Sequence, residues 1–369
     1  MKKKILIGTV NLEIGGIEKT LIGLLNHIDY SKYEIDLLVL KTNGELIKDI
    51  PSNVNIITPY KTNFLKRICN SKNVFCKIIN HLLLNHFVSS FYKTDKEYDT
   101  AISYSGYYPF IDYYIKNVKA NKKLIWVHTD LSTFDDKFIY KLRYVFTKNK
   151  YKYFDNIICV SDSVKDSFIK MLPKYKDKVL VQWNIVDINK NNYKYPKLTG
   201  KYKILFVGRL CSAKRVDKLI EVHKKLIDNN MDITTYIVGD GELKKQLTEL
   251  AKELKVTNTL KFLGKQNNIL EIMKQADLFV LPSDYEGFGI VLLESLHSKL
   301  PFVGTNVCGI KDVAKKIAPK GSYLIAENNV EDIYNKIVDA KNGKVSKKFK
   351  FSLEEYNKKC MKDFYQKIK

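Results

Sequence analysis

The sequence predicts an α/β protein made of two doubly wound domains. Apolar runs of strand length alternate with amphipathic stretches of helix length, and this alternation lapses once, near residue 190, and then resumes. The length of 369 residues also suits two cores better than one.

In the first half the strand candidates are Lys4–Val10, Tyr33–Leu40, Val54–Thr58, Tyr98–Tyr104, Lys123–His128, Asn156–Val160 and Lys178–Trp183. Helices are expected between them, such as Ile17–Ile28, where Ile17, Leu21, Leu24, Leu25 and Ile28 share one face. Between Asn184 and Gly200 the chain turns rich in Asn, Lys and Tyr and loses periodicity, which reads as a linker. The alternation then continues through strands Lys203–Gly208, Ile233–Val238, Thr259–Leu263, Leu278–Leu281, Pro301–Gly304 and Ser322–Ile325. The helices of this half are Val216–Asp228, Glu242–Leu254, Ile269–Lys274, Gly289–Ser298, Lys311–Lys316 and Val330–Asp339, with a last one at Leu353–Ile368. The expected division is a domain over 1–183, a hinge over 184–200, a second domain over 201–345 and a terminal helical segment over 346–369.

Composition narrows the function classes. The apolar run after Met1-Lys2-Lys3-Lys4 is too short for a secretory signal and reads as a strand. No apolar stretch approaches the roughly 20 residues that span a bilayer. The six cysteines (Cys69, Cys76, Cys159, Cys211, Cys308, Cys360) show no metal or disulfide spacing and read as reduced thiols of a cytoplasmic protein. The net charge of +23 comes from lysines spread along the chain, with four arginines among 63 basic residues, so nucleic acid is not an expected partner. The segment Lys61–Lys96 interleaves Phe and Ile with Lys and Arg; it reads either as an ordinary domain helix or as a surface resting on an anionic membrane.

Three motifs carry chemistry. Gly15-Gly16 lies between the first strand and a helix, where bare backbone can approach an anion; alone it more often marks a plain β-to-α connection. Gly208-Arg209-Leu210, then Lys214, leaves the first strand of the second half, so that two cations sit at a strand's carboxyl end, able to neutralise a diphosphate. Gly239-Asp240-Gly241 lacks the third glycine of a dinucleotide fingerprint. Most specific is Ser283-Asp284-Tyr285-Glu286-Gly287-Phe288-Gly289, followed by a helix bearing Glu294. Its glycines allow a tight turn at a helix start, where free N–H groups meet phosphate. Glu286 falls in the turn and Glu294 about two helical turns further on, two acceptors at different depths that suit a hydroxyl-rich ligand.

This Glu-x7-Glu element resembles the signature of GT-B retaining glycosyltransferases of family 4, the group 1 glycosyltransferases. Trp126-Val127-His128-Thr129, Val160-Ser161, Asn184, Gly15-Gly16-Ile17-Glu18, Val207 to Leu210, Lys214 and Val238 to Glu242 agree with it in order and spacing over nearly the whole chain. The resemblance implies two Rossmann-like domains facing across a cleft, the first for the acceptor and the second for the donor, with the terminal helix crossing back to the first. It implies a catalytic set of His128, Arg209, Lys214 and Glu286. Donor contacts would come from Gly15, Gly16, Gly208, Arg209, Lys214, Gly287, Phe288, Gly289 and Glu294. Arg209 and Lys214 would bind the diphosphate, Glu286 the sugar, Glu294 the ribose, and His128 would lie by the sugar and its phosphate. The implied reaction moves a hexose or N-acetylhexosamine with retention from a nucleotide diphosphate sugar, UDP by family frequency. The acceptor would be a glycan or polyprenyl-linked glycan of bacterial surface polysaccharide synthesis, at the inner face of the cell membrane.

No Asp-x-Asp triplet occurs, so neither a metal nor another cofactor is expected. The loop Gly304–Asp312 departs from the family form, with Cys308-Gly309-Ile310-Lys311, which leaves base recognition open. A nucleotide-sugar epimerase or phosphorylase of the same architecture, or a sugar-binding subunit without catalysis, are the alternatives.

Overall fold

Runs of Ile, Leu and Val that are apolar at every position, rather than at alternate ones, suit strands covered by helices on both faces of a parallel sheet. The computed structural model describes residues 1–42, 44–58, 95–105, 109–130, 149–188 and 194–369. It has two compact units: Met1–Asp187 with Tyr356–Lys369, and Ile188–Glu355.

In the first unit the strands are β1 (Lys3–Thr9), β2 (Tyr33–Val39), β3 (Val54–Ile57), β4 (Tyr98–Ser103), β5 (Ala120–Val127), β6 (Asn156–Cys159) and β7 (Val179–Val181). They form one sheet in the order β3-β2-β1-β4-β5-β6-β7, every described pair parallel. Ile5, Leu6, Ile7, Ile102, Ile125 and Ile158 are fully buried in it. The helices include α1 (Gly16–Asn26), α2 (Pro109–Asn117) and α3 (Asp162–Met171).

The second unit repeats the plan. Strands β8 (Lys203–Val207), β9 (Thr234–Val238), β10 (Leu260–Gly264), β11 (Leu278–Leu281), β12 (Phe302–Thr305) and β13 (Tyr323–Ala326) form a parallel sheet in the order β10-β9-β8-β11-β12-β13. Around it lie α4 (Val216–Asp228), α5 (Lys244–Glu253), α6 (Ile269–Gln275), α7 (Ile290–His297), α8 (Ile310–Lys316) and α9 (Val330–Asp339). Both units are therefore Rossmann-like, each with one reversal of strand order beside its first strand.

On α4, His223 is fully buried, its ring bonded to Thr259 Oγ1 at 2.9 Å and to Thr235 Oγ1 at 2.8 Å. Burial pushes its imidazole from 6.5 down to about 4, so the folded ring stays neutral where the unfolded one takes up a proton. The stability this represents is present above 6.5 and is lost as pH falls through that window toward 4. Denaturant melts at pH 7 and 4.5 should therefore differ, and His223→Gln should remove about 2 kcal/mol of that difference.

The last helix, α10 (Leu353–Lys367), enters the first unit from Tyr356 onward. Phe364 is fully buried with its ring centroid 6.3 Å from that of Trp126, and Tyr365 stacks on Tyr33 at 5.2 Å. Thr100 Oγ1 donates to the carbonyl of Ile368 at 3.1 Å. Among the described residues no helix is long and apolar enough to cross a membrane. Lys61–Lys96, the candidate membrane-facing segment, lies almost wholly outside the described residues, as do Cys69 and Cys76.

Candidate functional site

Open α/β sheets bind ligands beyond the carboxyl ends of their strands, where the strand order reverses. In the second unit the reversal falls between β8 and β11, so the loops leaving those strands define the candidate site.

The β8 loop runs from Gly208 through Arg209 to a short 3-10 turn, Ser212–Lys214, and on to α4. It is held by the neighbouring β9 loop: Gly208 N donates to Val238 O at 3.0 Å and Leu210 N to Asp240 O at 2.9 Å. Two glycines permit this approach. A Cβ on Gly239, whose φ is +141°, would sit 1.8 Å from Gly208 O, and one on Gly241 would sit 2.3 Å from Leu210 O. Gly239-Asp240-Gly241 thus acts as a packing device for the loop that carries Arg209, which is itself exposed.

The β11 loop holds the Glu286 turn. Thr305 Oγ1 donates to Ser283 O at 2.6 Å, and Asp284 N donates to Ala213 O at 2.9 Å, tying the turn to the β8 loop. Phe288 is buried, and Gly289 at φ +80° is the N-cap of α7, its carbonyl accepting from Leu292 N at 2.9 Å. Gly309 (φ +74°) closes the far side, where a Cβ would lie 2.7 Å from Phe288 N. Because the positive φ of Gly289 delays the helix to Ile290, Glu294 is the fifth residue of α7. It lies little more than one turn in, not the two that its spacing suggested. Glu294 is partly buried among Leu292, Leu293, Ser295 and Leu296.

Across these loops, Lys214 Nζ pairs with Glu286 Oε1, both side chains largely buried, and Ser283 Oγ stands 3.4 Å from the same oxygen. The structure therefore brings two of the predicted catalytic residues into direct contact, with Gly287 and Phe288 in the same turn. Arg215, the other arginine of this stretch, takes a different part: its guanidinium holds Asp217 and Asp284.

In the first unit, Gly15 is the extended N-cap of α1 and Gly16 its first residue. The carboxylate of Glu18 folds back over this turn, within 2.3 Å of where a Gly15 Cβ would be. His128 follows β5, and its Nε2 bonds to Tyr104 O at 2.8 Å. A carbonyl only accepts, so Nε2 carries the proton and Nδ1 is left as an acceptor. The residue keeps some accessible surface, yet enclosure of the ring pushes the imidazole down to about 4, so it is neutral near pH 7. Tyr104 in turn donates to Thr20 Oγ1 at 3.0 Å, linking His128 to the first turns of α1. Tyr104 had no signal in the sequence. Among the described residues no three His, Cys, Asp or Glu side chains gather as a metal-ligand set.

The second unit thus has the Lys214–Glu286 pair at its strand-order reversal, with Arg209 exposed on the same β8 loop. Residues 187–359 match the family model of glycosyl transferases group 1. Among curated proteins, the chain is 32% identical over 222 residues to UDP-Gal:alpha-D-GlcNAc-diphosphoundecaprenol alpha-1,3-galactosyltransferase of Escherichia coli, covering 57% of this chain and 56% of that one. It is 34% identical over 110 residues to N-acetyl-alpha-D-glucosaminyl L-malate synthase of Bacillus anthracis, covering 30% and 29%. The chain spans about half the length or less of these curated relatives. Among solved structures, Anabaena HepE in complex with UDP and glucose superposes with a TM-score of 0.69 at 17% identity, covering 99% of this chain and 100% of that one. S. aureus TarM, as a mutant complex with fondaparinux, alpha-GlcNAc-glycerol and UDP, gives 0.67 at 14% identity, covering 100% and 97%. At such identities the likeness is one of fold, and that fold is GT-B.

Proposed function

We propose that this chain is a retaining glycosyltransferase of family 4. It transfers a hexose or N-acetylhexosamine from a nucleotide diphosphate sugar, UDP foremost, to a glycan or lipid-linked glycan in bacterial surface polysaccharide synthesis. The observation that carries this reading is the Lys214–Glu286 pair at the strand-order reversal, beside the N-terminus of α7 and inside the span that matches the family model. The galactosyltransferase relative, whose name includes a diphosphoundecaprenol substrate, supports the lipid-linked acceptor.

The paired residues suggest how the site is used. A bound diphosphate competes for the Lys214 ammonium, and the trade releases the Glu286 carboxylate to accept hydrogen bonds from sugar hydroxyls. In transfer, the bond from the anomeric carbon to the diphosphate oxygen breaks while the acceptor oxygen bonds to that carbon from the same face. The acceptor's proton passes to the departing diphosphate oxygen. Arg209, Lys214 and the amide end of α7 stabilise the charge that develops there, while Glu294 serves the ribose. His128, neutral and with Nε2 committed to Tyr104, has a hydrogen-bond acceptor rather than a positive charge to offer a donor sugar.

Thermal unfolding with a panel of nucleotide sugars tests the assignment. A true donor at a hundred times its dissociation constant should stabilise the protein by about 2.7 kcal/mol, and the same donor should yield glycosylated product from a lipid-linked acceptor. A panel in which neither UDP, GDP nor any of their sugars shifts the transition would rule the reading out.

A further inference from the structure

Resting on the reading that Lys214 binds a diphosphate, we infer that Arg215 and Asp284 are positioning residues, which hold the Lys214 loop and the Glu286 turn in register while Lys214 changes partner. Polar contacts that join the two loops include the backbone bond from Asp284 N to Ala213 O, the Lys214–Glu286 pair, and Arg215 Nη1 to the Asp284 carboxylate at 3.1 and 3.3 Å. Lys214 and Arg215 are adjacent, and Asp284 and Glu286 are two apart, so the ion pairs form neighbouring rungs between the same strands of chain. When diphosphate takes Lys214, its rung opens and Arg215–Asp284 remains between the loops, beside the Lys218–Asp284 pair that reaches the turn from α4.

The details fit a fixed clamp rather than a ligand-binding pair. Asp284 also accepts from Lys218 Nζ at 3.1 Å and from Asn328 Nδ2 at 2.8 Å, so its carboxylate is already well supplied with donors. Burial works to raise its carboxyl, but the bonds from Asn328, Lys218 and Arg215 prevail and hold it below the usual carboxylate range. The Arg215 fork is similarly committed, with Nη2 and Nε on Asp217 at 2.8 and 3.1 Å. Its backbone sits at φ +46°, ψ +45°, a conformation that disfavours any residue with a Cβ. Arginine thus occupies a backbone conformation that glycine would adopt more easily, and its guanidinium bridge to Asp284 and Asp217 offsets that cost.

Calorimetric titration of the full chain with UDP, alongside thermal melts, separates this role from a merely structural one. Arg215→Gly suits the left-handed backbone, so its melting temperature should stay near wild type, while UDP binding weakens about tenfold. Arg215→Lys keeps the charge without the planar fork and should weaken binding as much. Lys214→Ala should weaken it about a hundredfold, and adding Arg215→Gly to that variant should cost no more than about threefold further, because Arg215 acts through Lys214. Arg215→Gly binding like wild type, Arg215→Lys restoring full affinity, or losses that multiply in the double variant would each overturn the inference. A Lys214→Ala variant that binds UDP normally would instead overturn the diphosphate reading, and the clamp's purpose with it.

Discussion

Replacing Lys214 with alanine should lower kcat/KM for sugar transfer by about a thousandfold or more, with the melting temperature little changed. The side chain is about one-fifth exposed and bonds to Glu286, not to the core, so its loss leaves the sheet and its helices intact. Two effects act together on the reaction. The leaving diphosphate loses a full positive charge, and the Glu286 carboxylate is left unpaired where it repels the incoming phosphates. Lys214→Arg keeps the charge but exchanges a compact ammonium for a planar fork, so it should recover part of the rate. Steady-state kinetics with the donor found by thermal screening, beside circular dichroism of each variant, check the expectation. Undiminished turnover in Lys214→Ala would count directly against the proposed role.

The largest effect on stability is expected at Gly239. Its φ of +141° is adverse for alanine, and a Cβ there would lie 1.8 Å from Gly208 O, a backbone atom with no rotamer to yield. Gly239→Ala must therefore push the β8 loop away from the β9 loop, breaking the bond from Gly208 N to Val238 O. A loss of about 3 kcal/mol or more is expected for the second unit, with donor binding impaired even in the folded fraction because Arg209 and Lys214 ride on the displaced loop. Gly264 provides the control: it also has a positive φ, +67°, but nothing lies within 4 Å of its added Cβ. Gly264→Ala should cost only about 1 kcal/mol. Urea melts of the two variants should differ accordingly, and equal losses would mean that backbone crowding at Gly239 is not the constraint.

Much of the fold was legible because periodicity and punctuation agree along most of the chain. Helices Val216–Asp228 and Val330–Asp339 and strand Leu278–Leu281 have the bounds that their residues predict. Helix α2 had no such signal: Phe110, Ile111, Tyr113, Tyr114 and Ile115 are all buried, so it presents no polar stripe to set a period of 3.6. Helix α3 did carry one, the cap Ser161, whose hydroxyl accepts from Val164 N at 3.2 Å. The unit boundary at Asp187–Ile188 falls within the linker that the composition of 184–200 marks, whereas the return at Tyr356 goes with the packing of α10 against Trp126 and Tyr33, which no local composition reveals.

The candidate site was legible in its residue types and not in its connections. Lys214 and Glu286 stood out through motif spacing, but their pairing spans 72 residues of sequence. The Arg215–Asp284 contact spans 69, and a single sequence carries no sign of either. Gly239 and Gly241 read only as an incomplete dinucleotide fingerprint and Gly309 as part of a divergent loop, whereas their common property is that each lets one strand-end loop press against another's backbone. Such contacts are tertiary, and only the sheet order that brings β8, β9, β11 and β12 together makes them readable.

A crystal structure of the chain with UDP is the most direct measure of whether the second unit grips a nucleoside diphosphate through its strand-end cations. The β-phosphate should lie within hydrogen-bond distance of Arg209 and Lys214, facing the first turn of α7, with Lys214 drawn off Glu286 and Arg215 still on Asp284. UDP bound elsewhere, or bound there with the Lys214–Glu286 pair unbroken and Arg209 remote from phosphate, would contradict the account.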